Sequence, residues 1–380
     1  MLIHMLSQRL PPESVTGAPL QALQLARALQ DKGDRLRLYT TLPWGVEPDP
    51  AFTAGLEVRA LHYPPPRRAR PLLRLGAAYL SATEIDAADI VHGHALSPMI
   101  LGYALRRKHS SPPFIVKPSL GGEHGEGELH KLRSQLPRRL LQRAMDRIDA
   151  FAVLDDVIAA DLDAIGIGKE RIHRVPNGVD TRRFCPANEG EIAALRVAFS
   201  LPLQEPVLLF AGQLSPRKGV QELLAAWSAQ VARGARGTLA ICGGGPLEET
   251  VREAQTALPQ QVRYLGELSD VAPAMRMADV LLLPSRWESF GNVVTEAMAC
   301  GIPVASTATG IATQLLSNGE AGWRIDSVSE GALDDTLQQI IGSREQWSAL
   351  GQRALALAQN YDFPHTAARY QEVYAELIND

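Results

Sequence analysis

The sequence contains little cysteine, and its few cysteines are far apart. Cys185, Cys242 and Cys300 are the only ones in a chain of 380 residues. An odd number at such wide spacing gives no disulfide framework and no cysteine-based metal cluster. Unpaired thiols of this kind are typical of proteins in a reducing cytoplasm.

Long apolar runs are also absent from the sequence. No stretch approaches the roughly 18–20 apolar residues that cross a bilayer, so we expect no membrane-spanning helix. The first residues, MLIHMLSQRLPPES, have no charged start and no long apolar core, and we therefore expect no signal peptide. These features predict a cytoplasmic protein.

The chain has no large excess of charge of either sign. Its formal net charge is −4, with +3 in residues 1–180 and −7 in residues 181–380. A basic first half and an acidic second half indicate different partners for the two halves. We expect no nucleic-acid partner.

The length and the order of the patterns predict two domains of α/β class. Apolar strand-like runs alternate with helix-like runs nearly throughout, which is typical of parallel sheets covered by helices. The turn signal Pro176-Asn177-Gly178 separates two such sets, and we place the domain boundary there, at 178/179. We predict two doubly wound, Rossmann-like domains facing a cleft, since ligands of such folds bind at the carboxyl ends of the strands.

Strand predictions follow from the short apolar runs between turn signals. In the first half they are Leu2–Ser7, Arg35–Thr41, Leu56–His62, Ala88–His94, Phe114–Pro118 and Ala150–Leu154. In the second half they are Val207–Gly212, Thr238–Gly243, Val262–Leu265, Asp279–Pro284 and Pro303–Ser306.

The segment Pro284–Gly310 carries the strongest functional signal. Glu288 and Glu296 lie eight positions apart, after a buried strand and around the start of a helix at Gly291. Amides at a helix start and the helix dipole suit an anion such as a diphosphate, and carboxylates can bind the paired hydroxyls of a sugar or a ribose. The spacing alone arises about once by chance in a chain of this composition, and Glu296 could simply be a favourable first-turn carboxylate.

Two further strand ends in the second half are candidates for the same site. Arg217 and Lys218 follow a strand and precede Gly219 and a helix, which suits a diphosphate. The alternative is a solvated basic turn. Cys242-Gly-Gly-Gly-Pro246 follows the next strand and would let backbone approach a ligand, although Gly-rich strand ends are often only turns.

The first half offers weaker candidates. Gly17 precedes a helix and could present amides to a phosphate. His94 ends a strand and could reach a sugar hydroxyl, whereas His92 is expected to face the other side of the sheet and ranks lower. The loop Gly121–Gly127, which includes Gly122 and His124, is a candidate acceptor-binding loop.

Two basic stretches could contact anionic lipid. They are Pro64–Arg74 with the apolar residues after it, and the arginines 138, 139 and 143 among leucines. Solvated basic faces are the commoner explanation. The sequence therefore allows two locations: the cytoplasm, and the inner face of the membrane through peripheral contact.

Taken together, the ordered motifs resemble those of the retaining glycosyltransferases of family 4, which have the two-domain GT-B fold. The resemblance covers nearly the whole chain and is strongest over Val175–Asp180, Phe210–Gly219, Gly243–Pro246, Tyr264–Gly266 and Asp279–Gly322. It implies a first domain, residues 1–178, that binds the acceptor, and a second domain, residues 179–360, that binds a nucleotide-sugar donor. It also implies that the C-terminal helix, residues 361–380, packs back on the first domain.

The resemblance also implies roles for individual residues. Glu288 would hold the donor sugar, Glu296 the nucleotide ribose, and Lys218, with Arg217, the diphosphate. His94 would position the sugar, and with Glu288 and Lys218 it forms the predicted catalytic set. The remaining candidates are Gly17, Gly244, Ser289, Phe290, Gly291, Asn292 and Val293 for the donor, and Gly121, Gly122 and His124 for the acceptor.

The chain departs from the family pattern at three positions. Gln213 stands where members often have Arg, which removes one positive charge from the predicted diphosphate site. Gln314 stands where many have Glu. Of the family's N-terminal Gly-Gly pair, only Gly17 is present, followed by Ala18.

The implied reaction moves a hexose from a nucleoside-diphosphate sugar to a hydroxyl of a glycan, lipid-linked or small-molecule acceptor. A UDP-sugar is favoured as donor, with GDP-mannose next. No cofactor and no metal are expected, because the sequence has no Asp-x-Asp metal-binding motif in a suitable loop. Asp161-Leu-Asp163 has the pattern but lies in a helix-like stretch away from the other motifs. A sugar-nucleotide epimerase and a non-catalytic nucleotide-sugar-binding subunit are the alternatives.

Overall fold

The computed structural model describes residues 1–8, 10–11, 17–64, 70–122 and 127–379, with backbone alone at position 70. Contacts divide the chain into two compact units. Unit 1 comprises Met1–Gly178 and Phe363–Asp380, and unit 2 comprises Val179–Asp362. The chain therefore passes between the units twice, once after Gly178 and once before Phe363.

Unit 1 is built on a parallel sheet that has seven strands within the described residues. The strand order is β3-β2-β1-β4-β5-β6-β7, so the direction of winding reverses between β1 and β4. The strands are β1 Leu2–Ser7, β2 Arg35–Pro43, β3 Glu57–Tyr63, β4 Ile90–His94, β5 Phe114–Lys117, β6 Ala150–Val153 and β7 Ile172–Arg174.

Helices cover both faces of this sheet, and each face has its own apolar core. Central strands such as β4, β5 and β6 are buried along their whole length, which explains their continuous apolar sequences. The helices are α1 Gly17–Asp31, α2 Pro50–Thr53, α3 Arg70–Leu80, α4 Ala82–Ile85, α5 Pro98–Arg106, α6 Glu128–Gln135, α7 Arg138–Met145, α8 Asp156–Asp163 and α17 Phe363–Asn379.

Unit 2 repeats the plan with a parallel sheet of order β10-β9-β8-β11-β12-β13. Here the winding reverses between β8 and β11. The strands are β8 Val207–Ala211, β9 Thr238–Cys242, β10 Val262–Gly266, β11 Val280–Leu283, β12 Val304–Thr307 and β13 Gly322–Ile325. The helices are α9 Glu189–Ala198, α10 Val220–Ala232, α11 Glu248–Ala257, α12 Ala272–Met277, α13 Asn292–Ala299, α14 Ala312–Leu315, α15 Glu330–Gly342 and α16 Trp347–Ala358.

The prediction of two doubly wound α/β domains is confirmed, and the predicted strands lie within two residues of the observed ends. The predictions missed β7 and β13. Both are short and begin or end with residues of low strand propensity, such as Arg174 and Gly322. The C-terminal helix α17 packs in the core of unit 1, where Tyr370 and Tyr374 are fully buried.

Candidate functional site

The reversal of strand order in unit 2 brings two predicted motifs together. Parallel sheets bind ligands beyond the strand ends where the winding reverses. The loops that follow β8 and β11 lie at that point, and they carry Lys218 and Glu288. These two residues are 70 positions apart in sequence and are joined directly in the structure.

Lys218 and Glu288 form a buried ion pair. The Lys218 ammonium donates to Glu288 Oε1, and the Ser285 hydroxyl donates to the same oxygen at 2.6 Å. The two charged side chains are only 11% and 10% exposed. Burial lowers the pKa of Lys218, and the neighbouring Glu288 partly offsets that shift. The strand ends therefore hold one cation and one anion in a largely desolvated position.

Arg217 lies beside this pair but is held by protein groups. Its Nη1 lies 3.6 Å from Glu288 Oε2 and donates to the Trp287 carbonyl at 3.1 Å. Its guanidinium also stacks over the Trp287 ring, 4.6 Å from the centroid. Ser285 and Trp287 were not among the predicted residues, although both lie within the PSRWES segment that signalled the site.

Gly219 allows the two loops to approach each other. Its φ is +68°, and a Cβ atom there would lie 2.2 Å from the carbonyl oxygen of Pro284, directly after β11. Only glycine combines this backbone conformation with so close a contact. The residue thereby places the neighbouring Lys218 next to Glu288.

Gly219→Ala is expected to lower the free energy of unfolding by about 3 kcal/mol, because it adds a collision to the cost of positive φ. Gly234→Ala is the matched control: its φ is +93°, and a Cβ atom there would have no described atom within 4 Å. The control should lose only about 1 kcal/mol. Equal losses in urea denaturation would show that the approach of the two loops is unimportant.

Helix α13 begins at the predicted place. Gly291 precedes it with φ +80°. Phe290 is buried, and its carbonyl accepts from the Ile311 amide at 2.8 Å, which fixes the loop from behind. Ser289 is buried too, whereas Asn292 and Val293 are partly exposed in the first turn. The helix starts four positions after Glu288, so an anion bound near Lys218 would also meet a favourable dipole.

Glu296 lies in α13 and is set apart from the ion pair. Burial raises the pKa of its carboxyl to about 7, and the positive charge of Arg183 acts in the opposite direction. Arg183 itself is held by Asp270, with contacts of 3.0 and 2.6 Å. Sequence reasoning missed Arg183, since it lies more than a hundred positions before Glu296.

Stability should fall as the pH rises from about 4.5 to about 7 because of Glu296. Its pKa is higher in the folded chain than its ordinary value of 4.5, so the folded chain retains the proton over this interval and the unfolded chain loses it. Glu296→Gln should therefore stabilise the protein by roughly 1–3 kcal/mol more at pH 8 than at pH 4.5. Urea denaturation at both values measures this, and the exposed Glu253→Gln should show no such difference.

Gly244 is a structural part of the neighbouring loop. Its carbonyl accepts from the Leu214 amide at 2.9 Å, and it packs close to the Glu267 side chain. The loop after β9 therefore supports the loop after β8, which carries Lys218.

Unit 1 has a pocket of about 690 Å³ at its own point of reversal. The ends of β1 and β4 contribute Ser7 and His94, and the start of α5 contributes Ser97. Gly17 is the first residue of α1, and the residues after it, Ala18 and Pro19, line the pocket. The predicted candidates His94 and Gly17 are thus brought to one region of unit 1.

The expected orientation of His92 was wrong. Its ring stacks on that of His94, with centroids 4.3 Å apart and planes 23° from parallel. Residues two apart in a strand point to the same face. Gly93 between them faces α5, where a Cβ atom would meet Ile100.

The glycines of the predicted acceptor loop pack against α8. The Gly122 amide donates to Asp161 Oδ2 at 2.7 Å, and Gly121 lies against Ile158. His124 lies outside the described residues. The Gly122 amide is therefore engaged by the protein itself.

Glu128, at the start of α6, ties the segment after β5 to the segment after β4 and was not predicted. Its carboxylate accepts from the Leu96 amide at 2.6 Å, the Ser119 amide at 3.1 Å and the Ser119 hydroxyl. Burial raises the pKa of Glu128 to about 7. Between His94 and Leu96, Ala95 has a φ of +63°, which is uncommon for a residue other than glycine. A buried carboxylate thus fixes a strained turn in the pocket wall.

Comparison with known proteins agrees with this arrangement. The family described as Glycosyltransferase Family 4 matches residues 15–183, and the one described as Glycosyl transferases group 1 matches residues 191–356. The D-inositol 3-phosphate glycosyltransferase of Corynebacterium efficiens is 30% identical over 301 residues, which are 76% of this chain and 71% of that protein. The chain belongs to glycosyltransferase family 4. It is a glycosyltransferase.

Other family 4 relatives and solved structures extend the comparison. A GDP-mannose-dependent phosphatidylinositol monomannoside mannosyltransferase of Corynebacterium glutamicum is 26% identical, over 60% of this chain and 67% of that protein. The crystal structure of Anabaena HepE in complex with UDP has a TM-score of 0.78 at 19% identity, over 99% of this chain and all of that one. The two Rossmann-like units of this glycosyltransferase are those of the GT-B fold.

The predictions on membranes and metals can be set beside the structure of this glycosyltransferase. The described helices include none that is long and apolar enough to cross a membrane. Arg138, Arg139 and Arg143 are exposed on α7, whereas residues 65–69 of the Pro64–Arg74 stretch lie outside the described residues. Contact with lipid stays a prediction.

Among the described residues, no group of three or more His, Cys, Asp or Glu side chains is placed to hold a metal ion.

Proposed function

We propose that this chain is a retaining hexosyltransferase that uses a nucleoside-diphosphate sugar, with a UDP-sugar favoured as the donor. The observation that carries the proposal is the Lys218–Glu288 pair, which lies at the reversal point of unit 2 and shortly before the amide end of α13. A cation, a carboxylate and a helix start in one place match the diphosphate and hydroxyls of such a donor.

Each charged group has a separate task in this proposal. Lys218 and the first turn of α13 stabilise the departing diphosphate, where negative charge develops as the sugar leaves. Glu288 turns from Lys218 to hydroxyls of the sugar when the donor binds. Arg217 supports Glu288, since its guanidinium is oriented by Trp287.

Glu296 binds the ribose in this scheme. Its carboxyl is partly buried one turn into α13, and among the described residues it has no hydrogen-bond partner. Vicinal hydroxyls would supply the donors that the protein does not. Gln213, in place of a second cation, leaves Lys218 with a larger share of the diphosphate charge.

The acceptor is proposed to bind in unit 1, in the pocket that His94 lines. The name of the Corynebacterium efficiens relative points to a small phosphorylated polyol, and that of the mannosyltransferase to a lipid-linked acceptor. His94 would position a sugar hydroxyl rather than act as an obligatory base. Peripheral contact with a membrane through unit 1, in a protein that otherwise resides in the cytoplasm, belongs to this proposal.

Thermal denaturation with nucleotides tests the donor. UDP-sugars at 100 times their dissociation constant should stabilise the protein by about 2.7 kcal/mol, and GDP- and ADP-sugars at equal concentration by less. A larger shift with GDP-mannose would contradict the choice of base.

A transfer assay then tests the reaction. UDP-glucose, UDP-N-acetylglucosamine and GDP-mannose are each incubated with D-inositol 3-phosphate, and the anomeric configuration of the product is read by NMR. We expect retention, and we expect EDTA to leave the rate unchanged. Net conversion of a donor to its epimer without acceptor would overturn the transferase assignment in favour of an epimerase, and inverted product would overturn the retaining one.

A further inference from the structure

The C-terminal helix places two tyrosines behind the candidate histidine of unit 1. Tyr374 and Tyr370 lie on α17 and are fully buried. The Tyr374 hydroxyl lies 2.5 Å from His92 Nδ1, and the Tyr370 ring lies 4.7 Å from the His92 ring. His92 in turn stacks on His94. The helix is thus connected to His94 through one intervening imidazole.

The four rings form a buried polar cluster, and the buried Lys117 lies close enough to act electrostatically on both histidines. Tyr370, Tyr374 and His92 are fully buried and His94 is 3% exposed. Burial lowers the pKa of both histidines well below the ordinary value, so both are neutral imidazoles. A neutral imidazole has two tautomers, and the group bonded to one nitrogen decides which is present.

The Tyr374 hydroxyl supplies such a group. A phenol is a stronger acid than a neutral imidazole N–H, so the short contact is an O–H donating to Nδ1 of His92. The proton of His92 then lies on Nε2. The Nε2 atoms of His92 and His94 are buried, and neither has a hydrogen-bond partner among the described residues. Of the two histidines only His94 lines the pocket, so its unpartnered Nε2 is the one that can meet a ligand.

We propose that Tyr374 is a positioning residue for sugar transfer, which fixes the His92 ring and thereby the orientation of the His94 ring. The assignment rests on the proposed function, because it takes His94 as the residue that positions a sugar hydroxyl. His92 transmits the constraint by packing, since its ring lies against the His94 ring with the centroids 4.3 Å apart. The last helix of the chain thus supplies part of the site in unit 1.

The neighbouring tyrosine provides a matched control. Tyr370 lies on the same helix, packs against the same His92 ring and is equally buried. Its hydroxyl has no hydrogen-bond partner among the described residues. Tyr370→Phe and Tyr374→Phe each remove one hydroxyl oxygen from the same core. Only Tyr374→Phe also removes the hydrogen bond to His92.

The first measurement uses the full-length protein without substrate. Proton–nitrogen NMR spectra of the histidine side chains should show His92 in one neutral tautomer, with its proton on Nε2. Tyr374→Phe should shift the ring nitrogens of both histidines, and Tyr370→Phe should leave those of His94 in place. Unchanged His94 signals in Tyr374→Phe would overturn the proposal, whatever the activity of the variant.

The second measurement is turnover of UDP-glucose with D-inositol 3-phosphate, or of the pair that the donor screen selects. Tyr374→Phe should lower kcat about tenfold, since small misplacement of a positioned group costs up to about 100-fold. Tyr370→Phe should change it less than about twofold. In a His94→Ala background the Tyr374 effect should vanish, because coupled residues are not additive. A Tyr374 effect that persists there would mark a general packing role and overturn the proposal.

Failure of the proposed function gives a different result. If His94→Ala is fully active, the role of His94 in transfer is wrong, while the NMR comparison still decides whether Tyr374 orients it. Thermal denaturation of the two phenylalanine variants checks that both remain folded. Equal melting temperatures with unequal kcat support the positioning role.

Discussion

Replacing Glu288 by glutamine is expected to lower kcat/KM for sugar transfer by about 100- to 1000-fold. Glutamine has nearly the same shape but no charge, so it cannot accept strong hydrogen bonds from two sugar hydroxyls. It also loses the ion pair with Lys218. Affinity for UDP alone should change little, because Glu288 is proposed to contact the sugar and not the nucleotide. Steady-state kinetics and UDP calorimetry measure the two quantities.

The matched control for this prediction is Glu248→Gln. Glu248 pairs with Arg252 on the surface of α11, where both side chains are well exposed. Its replacement removes the same charge from the same unit and should leave kcat/KM unchanged. Full activity of Glu288→Gln would refute the assigned role, and so would a loss that appears only in UDP binding.

Lys218→Met is expected to lower the free energy of unfolding of unit 2 by about 3 kcal/mol. The variant leaves Glu288 buried without its nearest cation, and Arg217 at 3.6 Å compensates only in part. Adding Glu288→Leu should restore most of the stability, because two apolar side chains replace a desolvated pair. Neither variant should transfer sugar. The double variant would thus be stable but inactive, as expected if Lys218 and Glu288 serve the reaction and not the stability of the fold.

Tryptophan fluorescence during urea denaturation suits this measurement, since four of the five tryptophans lie in unit 2. Arg233→Met is the control, because its pair with Asp334 is exposed on the arginine side and should contribute less than about 1 kcal/mol. A double variant as unstable as Lys218→Met would show that the loss comes from packing and not from the unpaired carboxylate.

The sequence was sufficient for features that repeat along the chain. Buried parallel strands need continuous apolar runs, so the central strands of both sheets could be located within two residues. Glycine before a helix marked the start of α13. Glu288 and Lys218 could be assigned to one site because loops after parallel strands meet at the same edge of a sheet.

Features that depend on side-chain contacts between distant segments could not be predicted. Nothing in the sequence around Arg183 signals that it acts on the Glu296 carboxyl. Nothing around Glu128 signals that its carboxylate accepts from the Leu96 and Ser119 amides. The orientation of His92 is different, because the alternation of side chains along a strand is enough to place it beside His94. The engagement of the Gly122 amide by Asp161 needed the position of α8, which a motif does not supply.

The route of the chain has a consequence for its synthesis. The core on one face of unit 1 includes Phe363, Tyr370 and Tyr374 together with Ile3 and Met5. A ribosome makes residues 3 and 5 before unit 2, and residues 363–374 only after all of it. Unit 1 therefore cannot complete this core while the chain is growing, whereas unit 2 is continuous in sequence and can. We expect one face of the first sheet to stay incompletely covered in nascent chains until α17 emerges, and exposed apolar surface of this kind promotes aggregation.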